Sequence, residues 1–192
     1  GAFPQGLGRR VLLLSNSGGP GVLASDEAAI NGLELPALPV ALAATLRGAL
    51  PLEAAVANPL DLLADAREDR FGLTLEAAIR ECPAHFDAIL GIHVVPFMVD
   101  AAPIIARLVA LAPRVPVPFM HAMMGTLPGK AQWFAALEAA GVPVFNDVEA
   151  MAECAGLLAR YPHARRLPSP ASLRSAPSPA KRERGDPPPA RS

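Results

Sequence analysis

A surplus of either charge, cysteine, aromatic rings and long apolar runs are all scarce in this chain. Its 17 Lys and Arg stand against 18 Asp and Glu, for a formal net charge of -1 and a pI near 6.5. Nucleic acid and acidic membrane surfaces call for a basic field, so neither is expected as a partner. The two cysteines, Cys82 and Cys154, sit far apart in apolar, helix-like segments and read as small buried thiols, with no disulfide expected. The four histidines, His85, His93, His121 and His163, show no metal-ligand spacing, so no metal site is expected. No apolar run approaches the roughly 18 residues of a membrane span, and the start lacks a charged segment followed by an apolar core and a cleavage site. A cytoplasmic protein is the expectation.

What the chain does have is an apolar core: 52% of its 192 residues are hydrophobic, enough for one sizeable domain but not two. Short β-rich runs alternate with amphipathic stretches, which predicts a parallel sheet covered by helices. Val11 to Leu14 is purely apolar, as a strand buried on both faces should be. A helix from about Pro20 to Asn31 follows, with Gly32 just past its end. Next come a weaker strand over Leu33 to Leu38, a helix over Val40 to Leu50 and a short run at Ala54 to Ala57. Phe86 to Val95 reads as a central strand. Ala101, Ile104, Ile105, Leu108, Val109 and Ala112 then form one helical stripe. Val115 to Met120 is a strand and Pro128 to Ala140 a helix closed by Gly141, with Trp133, Phe134 and Leu137 facing inward. A last strand, Val142 to Phe145, leads to a helix capped by Asn146 with Glu149 three residues on, ending near Tyr161.

Three segments result: a lead-in over 1–9, a doubly wound α/β domain of about five strands over 10–161, and a tail over 162–192. The tail is rich in Pro, Ser and Arg without apolar period, so it cannot bury enough surface to offset its ordering entropy and is expected to be disordered. Because the chain opens with Gly1, it is expected to be an interior piece or a processed product of something longer.

Two constellations can carry chemistry. Ser15, Asn16, Ser17, Gly18, Gly19, Pro20 and Gly21 join the first strand to the first helix, where doubly wound folds place phosphate. Glycine lets a ligand approach the backbone, and free N–H groups with the helix dipole favour an anion. A tight turn without a ligand fits the same residues, and both readings stand. Asn58-Pro59-Leu60-Asp61, followed by Asp65, presents Asn58 and Asp61 toward the same rim or ties down a turn through side-chain to backbone bonds. His93 and His121 fall at or near the carboxyl ends of central strands, yet nothing nearby orients them for catalysis, and each is read as satisfied by a neighbour. No nucleophile paired with a base is visible, so no catalytic residue is assigned.

The run from Arg10 to Asp26, with its Ser-Asn-Ser-Gly-Gly-Pro-Gly core, resembles one domain of the NDP-forming acyl-CoA synthetases, the relatives of succinyl-CoA synthetase. Asn58-Pro59-Leu60-Asp61-Leu62 with Asp65-Ala66, Ala140 to Phe145 and the closing helix at Glu149-Ala150 extend the likeness over nearly all of Arg10 to Tyr161. The resemblance implies a flavodoxin-like ligase-CoA domain of acetate-CoA ligase (ADP-forming) type. It works beside a CoA-binding domain, a phosphohistidine and an ATP-grasp domain. Such enzymes interconvert an acyl-CoA, ADP and phosphate with a free acid, CoA and ATP. By that likeness the Ser15 to Gly21 loop stabilises the phosphoryl group, and Asn58 and Asp61 shape the rim. CoA, ADP or ATP and Mg are implied for the complete enzyme, none for this chain alone. A phosphohistidine loop of Ser-His-Thr-Gly type is absent from the 192 residues, so the isolated chain is not expected to turn over.

Other uses of the same fold compete. An electron-transfer flavodoxin flanks its flavin with aromatics, which are 5% of residues here, Trp133 and Tyr161 being the large polar-tipped rings. A phosphoacceptor receiver needs acidic residues after the first strand, where Ser15-Asn16-Ser17 stand. A non-catalytic interaction or acyl-CoA-sensing module, of the kind joined to protein lysine acetyltransferases, is the remaining alternative.

Overall fold

Four apolar residues in a row cannot hide on one face of a strand, so Val11 to Leu14 needs cover on both sides. The computed structural model describes residues 7–96, 100–125 and 127–160, and in it β1 (Val11–Ser15) is wholly buried. It pairs in parallel with β2 (Leu60–Asp61) at one edge and β3 (Ala88–Val94) at the other. β4 (Phe119–Met124) and β5 (Val144–Phe145) complete a parallel sheet of order β2-β1-β3-β4-β5. The helices are α1 (Gly18–Ile30), α2 (Val40–Ala49), α3 (Glu68–Glu81), α4 (Ala102–Leu111), α5 (Lys130–Ala139) and α6 (Val148–Arg160). This is the flavodoxin-like, doubly wound α/β fold expected from the sequence.

Alternation along each strand divides the interior in two. Leu12, Leu14, Ile89 and Phe119 pack with Leu42 and Leu46 of α2, Phe71 and Leu75 of α3 and Ile104 and Leu108 of α4. Val11, Leu13, Leu90 and Met120 face the other way, onto Ala24 and Ala28 of α1 and Val148, Met151 and Ala155 of α6. At the amino end of the sheet the Arg10 guanidinium meets both oxygens of Asp87, at 2.7 and 3.1 Å, and also donates to the carbonyls of Pro83 and Ala84. This fork pins the start of β1 to the start of β3 and holds the Asp87 carboxyl below its usual range.

Several boundaries differ from those read in the sequence. Leu33 to Leu38 is not a strand: Glu34 makes a single bridge to Arg10, and Pro36 and Pro39, which lack N–H groups, end the pairing. The second strand is Leu60–Asp61. β4 begins at Phe119 instead of Val115, because a 3-10 turn over Ala112–Arg114 intervenes and Pro116 and Pro118 cannot donate to a ladder. β3 is shorter than expected, β5 starts two residues later, and α1 starts at Gly18. α3 falls where no helix was assigned. Gly129, at φ 86°, precedes α5, while Gly141 at φ 82° closes it as expected. The α6 cap is Asp147, whose Oδ1 accepts from the Ala150 N–H at 2.7 Å, and not Asn146. Trp133 and Phe134 are half-buried beside the fully buried Leu137. The thiols Cys82, at the end of α3, and Cys154, within α6, are free but only half-buried. The expected disorder of 162–192, the end of α6 at Tyr161 and residues 1–6 of the lead-in lie outside the described residues. Among the described residues no helix is long and apolar enough to cross a membrane.

β3 and β4 approach closely at Gly91, where an added Cβ would stand 2.7 Å from His121 Nδ1 and 3.2 Å from Phe119 Cε2. Gly91→Ala is expected to destabilise the domain by about 1–3 kcal/mol through overpacking. Urea unfolding checks this, and an unchanged midpoint would contradict the packing described.

Candidate functional site

In a doubly wound sheet the ligand crevice opens at the carboxyl ends of the strands where the order reverses. Here that point is the end of β1, with β2 on one side and β3 on the other. Ser15 is buried and closed on itself: its hydroxyl donates to the Ser17 carbonyl at 2.8 Å and accepts from the Ser17 N–H at 3.0 Å. Asn16 is buried as well. Its Nδ2 donates to the Val94 carbonyl at 2.8 Å and its Oδ1 accepts from the Val94 N–H at 2.8 Å, so the side chain pairs with β3 as a strand residue would. The chain turns at Ser17, which is extended, and α1 begins at Gly18 without a side-chain cap.

The first turn of α1 therefore exposes its donors. Gly18 and Gly19 are exposed, and among the described residues their N–H groups have no partner. Pro20 has no N–H, and the Gly21 N–H already donates to the Ser17 carbonyl. Gly21 itself is buried, its missing side chain facing Ser15 and Pro59 at ordinary contact distance, so it belongs to the packing beneath the loop. An added Cβ at Gly19 meets nothing within 4 Å. Two open N–H groups and a helix end worth about half a positive charge make this an anion-binding arrangement.

Asn58 and Asp61 take different positions. Asn58 Nδ2 donates to the carbonyls of Val11 and Pro36, at 2.9 and 3.0 Å, and its Oδ1 accepts from the Leu13 N–H at 3.0 Å. That side chain serves the edge of β1, away from the loop's open donors. Asp61 does reach the rim: Oδ1 accepts from the Leu63 N–H at 2.9 Å, and Oδ2 lies 3.2 Å from where a Gly18 Cβ would be. Its carboxylate shares the positive end of α1 with any incoming anion. Asp65 is bound by Arg70 at 2.7 Å, which lowers its pKa, and Arg70 also donates to the Leu62 carbonyl.

The strand histidines are not satisfied by neighbours, contrary to the sequence reading. Both are buried, and all four ring nitrogens lack partners among the described residues. His121 lies inside β4, not at its end, because that strand starts four residues later than the pattern suggests. No group of three or more His, Cys, Asp or Glu among the described residues could hold a metal. The Asn16 clamp was the feature least visible in advance. Its partner, Val94, is 78 positions away, and an Asn between two serines looks the same whether it faces a ligand or a strand.

A domain of this topology with an uncapped glycine loop at its switch point invites comparison with known proteins. Residues 11–145 match the family model of the Ligase-CoA domain. The chain belongs to the Ligase-CoA domain family. It is 38% identical over 104 residues to the alpha subunit of acetate–CoA ligase (ADP-forming) II of Pyrococcus furiosus, covering 53% of this chain and 22% of that protein. It is 39% identical over 64 residues to acetate–CoA ligase (ADP-forming) I of Archaeoglobus fulgidus, covering 33% of this chain and 9% of that one. A crystal structure from Pyrococcus horikoshii OT3 superposes with a TM-score of 0.74 at 30% identity, over 82% of this chain and 37% of the other. The apo dinucleotide-forming acetyl-coenzyme A synthetase 1 of Ca. Korarchaeum cryptofilum shares the fold, with a TM-score of 0.73 at 24% identity over 82% and 34%. The chain thus spans about a fifth of the Pyrococcus furiosus relative and about a third of the solved chains.

Because Asn58 satisfies two backbone groups at the β1 edge and the Pro36 carbonyl, Asn58→Ala is expected to cost about 2–4 kcal/mol by leaving several of them unpaired. A loss below about 1 kcal/mol in denaturant titration would show that water replaces the amide there.

Proposed function

We propose that this chain is the ligase-CoA domain of an ADP-forming acid–CoA ligase, in which the Gly18-Gly19 end of α1 holds the phosphoryl group during its transfer. The observation that carries this reading is the pair of exposed, unpartnered N–H groups at Gly18 and Gly19, placed at the switch point of the sheet and left without a side-chain cap. Donors fixed before the ligand arrives stabilise developing charge without further reorganisation. Ser15 and Asn16 bond within the protein, so their part is to fix the loop, while Ser17, Gly18 and Gly19 face the ligand. The phosphoryl group passes between acyl phosphate, a phosphohistidine and ADP. The histidine and nucleotide come from a CoA-binding and phosphohistidine domain and an ATP-grasp domain, in the same longer chain or a partner subunit. CoA, ADP or ATP and Mg belong to that complete enzyme. The much greater length of the relatives supports this division, and the buried state of His93 and His121 fits a domain that contributes no acid or base of its own.

Asp61 gives the proposal a sign. Its carboxylate competes with a free anion for the end of α1, so Asp61→Asn is expected to tighten binding of inorganic phosphate by about 3- to 10-fold, roughly 0.7–1.4 kcal/mol. Gly19→Ala is expected to leave stability unchanged or raise it by about 0.4–1 kcal/mol. The added methyl nevertheless stands in the anion's approach, and phosphate affinity should fall at least about tenfold. Titration of inorganic phosphate against the amide resonances of Gly18 and Gly19 reads both effects. If neither amide moves up to millimolar phosphate, the loop is a turn and the phosphoryl role is wrong.

A further inference from the structure

Thr74 on α3, His93 on β3 and His121 on β4 bring a hydroxyl and four ring nitrogens into the layer between the sheet and its helices. None has a partner among the described residues. Buried polar groups left unpaired are uncommon, and each calls for a reason. The two imidazoles meet edge to face with centroids 6.1 Å apart. Phe71 of α3 covers His93 at 5.2 Å, and Phe119 lies 6.2 Å from His121. Several charged side chains of the surrounding elements are engaged elsewhere. Arg70 binds Asp65 and the Leu62 carbonyl, Glu76 of α3 binds Arg107 of α4 and Arg114, and Lys130 of α5 donates to the Gly125 carbonyl. Among the described residues no carboxylate bonds either ring to stabilise an imidazolium.

Two routes lead from this pair to the glycine loop. His93 immediately precedes Val94, whose N–H and carbonyl grip Asn16. Phe71 immediately follows Arg70, which holds the Leu62 carbonyl and Asp65 next to Asp61, and Asp61 stands against Gly18. We propose that His93 and His121 form a proton-operated latch on the glycine loop: while both rings are neutral, α3 closes on the sheet and the Val94–Asn16 clamp holds, and a proton on either ring loosens both. The latch does not depend on whether the loop binds an anion.

The sign follows from burial. Desolvation pulls His93 down to about 4, and desolvation together with neighbouring His93 pulls His121 down to about 3, from an ordinary 6.5. Their support for the folded layer is therefore fully present above about pH 6.5 and is lost as pH falls toward those lower values.

The test uses the 192-residue chain. Imidazole proton resonances report the charge on each ring, and hydrogen-exchange protection of the Val94 amide, corrected for intrinsic exchange, reports the clamp. From about pH 7 to about pH 4 that protection is expected to fall more than about tenfold in step with His93 charging. The Asp87 amide, which donates to the Arg10 carbonyl at the opposite end of β3, should stay protected. In a chain carrying both His93→Leu and His121→Leu the Val94 profile should be flat. The latch is refuted if Val94 protection holds while the rings charge, if its loss persists in the double variant, or if Asp87 opens equally. Should the double variant fail to fold, the wild-type comparison of Val94 with Asp87 still decides.

Discussion

The buried edge of β1 that faces β2 is the constraint on which the rest of the architecture depends. A central strand carries N–H and carbonyl groups along both edges, and every buried one needs a partner. Toward β3 the ladder is continuous over five residues. Toward β2 it is a patchwork. Glu34 exchanges bonds with Arg9 and Val11, the Asn58 side chain bonds Val11 and Leu13, and the Leu62 N–H donates to the Ser15 carbonyl. Two segments separated in sequence, around Glu34 and over Asn58 to Leu62, are thus drawn to one strand. The path of the chain between α1 and α3, and with it the position of Asp61 beside the loop, follows from completing that edge.

The glycine loop inherits its shape from the same logic at the strand's end. Ser15 folds its hydroxyl onto Ser17 and Asn16 reaches across to Val94, so these two polar side chains of the motif bond inward. The open donors at Gly18 and Gly19 are main-chain N–H groups. Rigidity comes from the side chains, and under the proposed role recognition falls to the backbone, a division that suits a group whose charge is spread over several equivalent oxygens.

How much of this was legible in the sequence depends on the range of the interaction that decides each element. β1, the stripe of α4 and the stop at Gly141 are written in local pattern and were read correctly, and the loop was placed at the correct strand end. The first turn of α3 carries Glu68 and Asp69, with Phe71, Leu75 and Ala78 at helical spacing, so a signal existed there and was overlooked. β2 is different in kind. It has two residues and exists because β1 lies beside it. The late start of β4 hinged on two prolines in Val115-Pro116-Val117-Pro118, whose apolar character masked their lack of donors. The roles of Asn16 and Asn58 rest on partners 78 and 45 positions away, and no window along the chain contains them.

Both margins of the sheet are unusually brief: β2 and β5 have two residues each. A margin so short offers almost no template for strand addition, which protects against unwanted sheet extension. It also limits how such a unit can be joined to others. Whatever stands next to it in a longer polypeptide or an assembly must meet helix surfaces and loop ends, not a shared sheet. A module joined in that way can be carried on its own subunit or fused in line without rebuilding its hydrogen-bonded interior.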